Sequence, residues 1–114
     1  MPRDSAALLD MANAARLVVQ FARGLDRHAF LIDVKTQSAV LHQLLILGEA
    51  TKRLSMEFRA GHPEIPWSSI AGMRDRLIHG YNEVDLSEVW KTAERDVPNL
   101  LSFIERILPG EESR

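Results

Sequence analysis

Apolar residues recur along most of the chain at three- and four-residue intervals, the spacing that gathers side chains on one face of an α-helix. From Ser5 to Gly24 the series Leu8, Met11, Ala15, Val18, Val19 and Ala22 predicts an amphipathic helix, with Ser5 as N-cap and Gly24 as its stop. A second helix, the longest, is expected from Asp33 through Val40, Leu44, Leu47, Thr51, Leu54 and Phe58, ending before Gly61-His62-Pro63. Its centre, Leu41 with Leu44-Leu45-Ile46-Leu47, is apolar around most of its circumference, which predicts contact on two sides, with the bundle core and with a second subunit. Pro63-Glu64-Ile65-Pro66-Trp67 reads as a rigid connector, and Pro66 falls in the first turn of a third helix that runs to about Ile78 before Gly80 breaks it. Asp85 and Glu88 have the spacing of a capping box for a fourth helix carrying Val89, Trp90, Ala93, Val97, Leu100, Leu101, Ile104 and Leu108. Pro98 lies inside that pattern and removes one backbone hydrogen bond, so a kink or break is expected near Asp96. The fold expected is all-α, an antiparallel four- to five-helix bundle.

Composition narrows this picture. A chain of 114 residues has the length of one domain, residues 1–114, with no room for a second. The hydrophobic fraction of 46% and charged fraction of 26% are those of an ordinary globular protein, and four Phe, two Trp and one Tyr are few aromatics for a β-sandwich. The absence of cysteine excludes disulfides, a thiolate nucleophile and a cysteine-type zinc site. Met1-Pro2-Arg3-Asp4-Ser5 opens no apolar segment with a cleavage site, and no apolar run is long enough to span a bilayer, so a cytoplasmic protein without a membrane partner is expected. A net charge of −2 argues against general electrostatic attraction to nucleic acid. Any RNA contact must come from a local patch, for which Arg53, Arg59, Arg74 and Arg76 are the candidates.

The chemistry concentrates at the end of the third helix. At about 100° per residue, Trp67, Ile70, Met73, Leu77 and Ile78 span an arc of roughly 140°, and Arg74 falls inside it. A buried unpaired guanidinium loses several kcal/mol of hydration (order of magnitude), so Arg74 either lays its stem on the core and lifts its head to water or recognises an anion. Asp75 and His79, four apart, share a face if the helix reaches His79, and their hydrogen bond would orient the ring. His79 precedes Gly80 near the helix C-terminus, where carbonyl ends favour a protonated imidazole; plain capping is the blander role. Tyr81 alone reads as a partly buried aromatic. Arginine, acid, histidine and phenol nevertheless fall within eight residues, Arg74 to Tyr81. No His-Glu-x-x-His or Glu-x-x-His pair occurs and His28, His42 and His62 lie apart, so neither a metal nor a cofactor is expected. Glu49 and Arg53 have the spacing of a helix salt bridge, and Glu49 beside Gly48 is placed to meet the next helix at close approach.

These residues resemble a known family. Arg74-x-x-x-x-His79-x-Tyr81 is similar to the R-x-x-x-x-H-x-Y signature of HepT-like toxins in the HEPN superfamily of helical ribonucleases. Leu47-Gly48-Glu49-Ala50, Pro63-Glu64-Ile65-Pro66-Trp67, Gly72-Met73-Arg74-Asp75, His79-Gly80-Tyr81, Val84-Asp85, Val89-Trp90 and Asp96-Val97-Pro98 extend the resemblance in order over about residues 40 to 100. The resemblance implies a HEPN-like bundle that forms a homodimer, two copies of the motif facing each other, and cleavage of RNA without a metal. In that mechanism a neutral His79 takes the proton from a ribose 2′-hydroxyl attacking its own 3′-phosphate, a protonated His79 from the partner serves the leaving 5′-oxygen, Arg74 binds the phosphate and Asp75 orients. The resemblance further implies that an MntA-like nucleotidyltransferase antitoxin transfers AMP from ATP to Tyr81. Two other functions use the same sequence: a non-catalytic nucleotide- or partner-binding subunit of a nucleotidyltransferase, in which Arg74 and His79 hold nucleotide phosphate, and a purely structural dimer, which leaves Arg74 in its apolar stripe without a reason.

Overall fold

The computed structural model describes residues 2–80 and 84–108, with side chains from residue 4 onward. Its helices are α1 (Pro2–Ala22), α2 (Arg27–Leu31), α3 (Val34–Arg53), α4 (Met56–Ala60), α5 (Trp67–His79), α6 (Leu86–Lys91) and α7 (Val97–Ile107), with a π-helical segment, Thr92–Asp96, joining the last two. No strand occurs among the described residues, so the all-α multi-helix bundle stands. Its centre is α3, which packs on α1 along one side and on α5 along another, while α7 closes against α1. That arrangement accounts for the two-sided apolar character of α3 within one chain: Leu41, Leu44 and Leu47 are buried, and Leu45 and Ile46 are half-buried against the same core.

Where the helices start and stop follows from local hydrogen bonding, and in four places it departs from the periodicity. First, α1 has begun by Pro2, so Ser5 lies inside the helix rather than capping it. Asp4, only 6% exposed, accepts from the backbone N–H and the hydroxyl of Ser55, both at 2.8 Å. Second, that contact helps divide the long second helix. Leu54 adopts extended backbone, and Ser55 caps a new helix by accepting from Phe58 N at 3.0 Å. A serine that can cap, tied to a buried carboxylate, offers the backbone a better set of partners than one more helical turn.

Third, the short α2 escapes periodicity because one turn carries too few positions to show a face. Asp26 caps it by accepting from Ala29 N at 2.8 Å, and the fully buried Phe30 stacks on Trp90 with ring centroids 5.3 Å apart. Fourth, the irregularity expected from Pro98 takes the form of the π segment. Val97 N donates to Thr92 O, five residues back, as a proline ring one residue on crowds the carbonyl of Glu94. Helices start at Asp33 and Asp85 as the pattern put them, but Pro66 is an N-cap outside the first turn, and among the described residues Glu88 does not complete a capping box with Asp85. Asp33 accepts from Thr36 N and hydroxyl at 3.0 and 2.7 Å, and Asp85 accepts from Ser87 N at 2.8 Å.

The connector before α5 is pinned by aromatic packing. Trp67 Nε1 donates to the carbonyls of Arg59 and His62 at 3.1 and 2.9 Å, and its ring meets Phe58 and Phe103 edge-on. This fixes the start of α5, and therefore the direction in which its last turn projects. No described helix is long and apolar enough to cross a membrane.

Candidate active site at the end of α5

Trp67, Met73 and Leu77 anchor α5 to the core, and Arg74 follows Met73 onto the flank facing α3. The two helices approach so closely there that a Cβ on Gly48 would stand 2.3 Å from Arg74 Cβ, 3.1 Å from its Cγ and 3.1 Å from Ile70 O. Only glycine fits such a crossing. The close approach foreseen beside Glu49 is thus real, and its consequence is that the Arg74 stem lies flat on α3.

The stem is covered but the head is not: the Arg74 side chain is 28% exposed. Nη1 meets Asp75 Oδ1 at 3.1 Å and Nη2 meets Glu49 Oε2 at 3.6 Å. Nε is buried and finds no acceptor among the described residues. The arginine in the apolar stripe is therefore both snorkelling and paired, its charge compensated from α3 and from its own helix.

Asp75 is exposed and holds two cations, Lys52 Nζ at 2.7 Å and Arg74 Nη1. The hydrogen bond from Lys52, and after it the one from Arg74, keeps the carboxyl below its ordinary value of 3.8. Among the described residues no hydrogen bond joins Asp75 to His79, although they are four apart on one helix; the acid faces α3 and its cations.

His79 is the last residue of α5, exposed, with Gly80 N closing the helix onto Arg76 O at 3.3 Å. Gly80 has φ of 152°, a backbone conformation that residues with a Cβ rarely adopt, and it ends the helix with the imidazole in the last turn. Arg74, Asp75, Arg76, Ile78 and His79 line one open depression of about 400 Å³. Ile78 stands 56% exposed at its edge, an apolar side chain facing outward beside the imidazole. Tyr81 lies outside the described residues.

Of the other candidates, Arg76 joins this depression. Arg53 ion-pairs with Asp10 of α1, and Arg59 sits on α4; neither lines the depression. Lys52 is the residue that the helical pattern did not single out. Its signal was available: Gly48, Glu49 and Lys52 fall on one flank of α3, a contact glycine followed by two charges at helical spacing. Among the described residues no group of three or more His, Cys, Asp or Glu side chains converges as a metal site would require. A second, more enclosed cavity of about 230 Å³ lies between α3, α5 and α7 over Leu44, Leu47, Ile70, Met73 and Leu100, and its lining is mostly apolar.

Comparison with known proteins places the chain in a family. Residues 11–107 match the HepT-like family, described as ribonuclease HepT-like. The chain is 45% identical over 100 residues to the "Probable ribonuclease HepT" of Thermococcus cleftensis, covering 88% of this chain and 91% of that one. It is also 33% identical over 109 residues to a Methanocaldococcus jannaschii protein named as an RNase, MJ0125, covering 96% and 94% of the two chains. A Caldanaerobacter subterraneus protein named likewise, TTE0752, is 37% identical over 95 residues, with 83% and 85% covered. No solved structure gives a significant match.

Proposed function

The chain belongs to the HepT-like family of the HEPN superfamily, and from that premise we propose that it is the toxin of a toxin–antitoxin pair and a metal-independent endoribonuclease acting at a site shared between two copies. The observation that carries the reading is the common depression at the tip of α5, where a fork of cationic donors and an exposed imidazole lie on one open surface with an apolar neighbour.

The chemistry needs no further group. A neutral His79 accepts the proton of a ribose 2′-hydroxyl as its oxygen attacks the adjacent phosphorus. The bond from phosphorus to the 5′-oxygen then breaks, and the partner subunit's His79, protonated, donates to that oxygen. The products are a 2′,3′-cyclic phosphate and a 5′-hydroxyl. Arg74 neutralises the charge gathering on the phosphoryl oxygens, and Asp75, bonded to Arg74, orients that guanidinium. Two copies are required because each chain brings one imidazole, His79, to this depression, and the reaction uses a base on one side of phosphorus and an acid on the other.

Tyr81, two residues past His79, is the proposed acceptor of AMP from a cognate nucleotidyltransferase antitoxin. A phosphodiester at that position would repel an RNA phosphate from the neighbouring site. Adenylylated chain is expected to lose RNA cleavage, and peptide mass spectrometry finding the added mass on another residue would remove Tyr81 from this role.

The test of the whole reading is incubation of the purified chain with RNA in excess chelator, followed by analysis of the ends. Cyclic phosphate termini from the wild type, and none from His79→Ala, are expected. Intact RNA together with nucleotide binding through Arg74 and His79 would favour the non-catalytic subunit instead.

A further inference from the structure

Arg74 belongs to a group of four charges that balance: Glu49 and Asp75 against Arg74 and Lys52, with Lys52 joined to the group through Asp75. A forked contact with a phosphate needs two adjacent N–H donors. In the present arrangement Nη1 is committed to Asp75, Nη2 faces Glu49, and Nε is buried. Each terminal nitrogen has a second N–H, so a phosphate that takes both nitrogens competes with these carboxylates for the guanidinium, and binds it best once one of them yields. Asp75 is the one that can leave without being stranded, because a second cation already holds it, nearer than Arg74 does: 2.7 Å from Lys52 against 3.1 Å.

We propose that Lys52 is a positioning residue of the cleavage site: by holding Asp75 in an ion pair from α3, it allows Arg74 to pass its Nη1 donor from that carboxylate to the substrate phosphate. This rests on the nuclease reading given above. Lys52 acts through Asp75 and touches no reacting atom. Without it Asp75 turns its full charge on Arg74, and the phosphate must compete with a carboxylate that has no other described partner. Asp75 accordingly has two duties, orienting the guanidinium before substrate arrives and yielding it afterwards, and the second depends on Lys52.

The rival role for an exposed lysine at this edge is direct contact with an RNA phosphate, and epistasis separates the two. Cleavage is measured for wild type, Lys52→Met, Asp75→Asn and the double variant, with Arg74→Ala and His79→Ala as controls and Lys52→Arg as the conservative replacement. Lys52→Met is expected to lower kcat/KM about fivefold, the scale of a partly exposed ion pair, and Lys52→Arg to restore most of it. The double variant is expected to match Asp75→Asn, since Lys52 has nothing to restrain once residue 75 is neutral. Equal loss from Lys52→Met in both backgrounds, or no loss in either, overturns the proposal while leaving the nuclease reading intact. Arg74→Ala and His79→Ala cutting RNA as well as wild type would instead overturn that reading, and this proposal with it.

Discussion

Gly48 and Arg74 meet at a close crossing of α3 and α5, where a Cβ on the glycine would run into the arginine stem. A glycine inside a helix is ordinarily a weakness, costing about 1 kcal/mol against alanine. At position 48 the sign reverses, because the added methyl would sit 2.3 Å from Arg74 Cβ, and neither partner is the free end of a flexible side chain.

Gly48→Ala is therefore expected to destabilise the fold by about 1–3 kcal/mol net, the range of overpacked cores, and to impair cleavage more than that loss of stability explains, as the Arg74 stem must move. Urea denaturation gives the first quantity and cleavage well below the unfolding transition the second. An alanine variant as stable as wild type would show that the helices separate without strain.

Arg74 and His79 are each expected to be needed for cleavage, and Arg74 to resist even a conservative change. Loss of either to alanine should slow cleavage on the order of 100-fold or more. Arg74→Lys keeps the charge but loses the planar fork, so it should recover only a small part of that loss. Circular dichroism is expected to show native helix content for all three. An Arg74→Lys variant with wild-type rates would mean that the site uses a point charge and has no need of a fork.

Two carboxyls make the fold sensitive to acid. Asp75, through Lys52 and Arg74, and Asp33, through the backbone and hydroxyl of Thr36, both titrate below their ordinary value of 3.8. A depressed folded value means that the unfolded chain binds protons first. Their contribution to stability is complete above the unfolded value and is lost as pH falls through the lower folded one. Stability measured by denaturant from pH 6 downward should thus hold until about pH 4 and then decline. Asp33→Asn and Asp75→Asn should each flatten that decline, and carboxyl titration by NMR should find Asp75 nearer 3.8 once Lys52 is changed to Met. An Asp75 titration unmoved by that change would mean that the Lys52 ion pair is not populated in solution.

Asp4 ties the first turn of α1 to the cap of α4 by two hydrogen bonds from Ser55. Asp4→Ala removes a buried acceptor and leaves the Ser55 N–H with a lost partner, so about 1–3 kcal/mol of stability should go with it. Hydrogen exchange should then quicken first around residues 54–58, ahead of the α1–α3 core. Uniform loss of protection across the chain would argue that this contact is no local fastener.

The sequence by itself determined the helical class, the course of the long helices and the helix starts at Asp33 and Asp85, because burial of one face imposes a period that survives in any single chain. It also brought Arg74 and His79 forward: a charge inside an apolar stripe, and an imidazole just before a helix-breaking glycine, are anomalies of pattern. It did not reveal the break at Leu54, since periodicity continues through Phe58 and the decisive partner, Asp4, lies 51 positions away. Nor did it show which way Asp75 turns. Four-residue spacing pointed the carboxylate at His79, but the nearness of α3, possible only because residue 48 lacks a side chain, put Lys52 within 2.7 Å. Local spacing tells which groups can share a face; the choice among them falls to whichever charge the packing of another helix brings nearest, and that is decided only when the chain is folded.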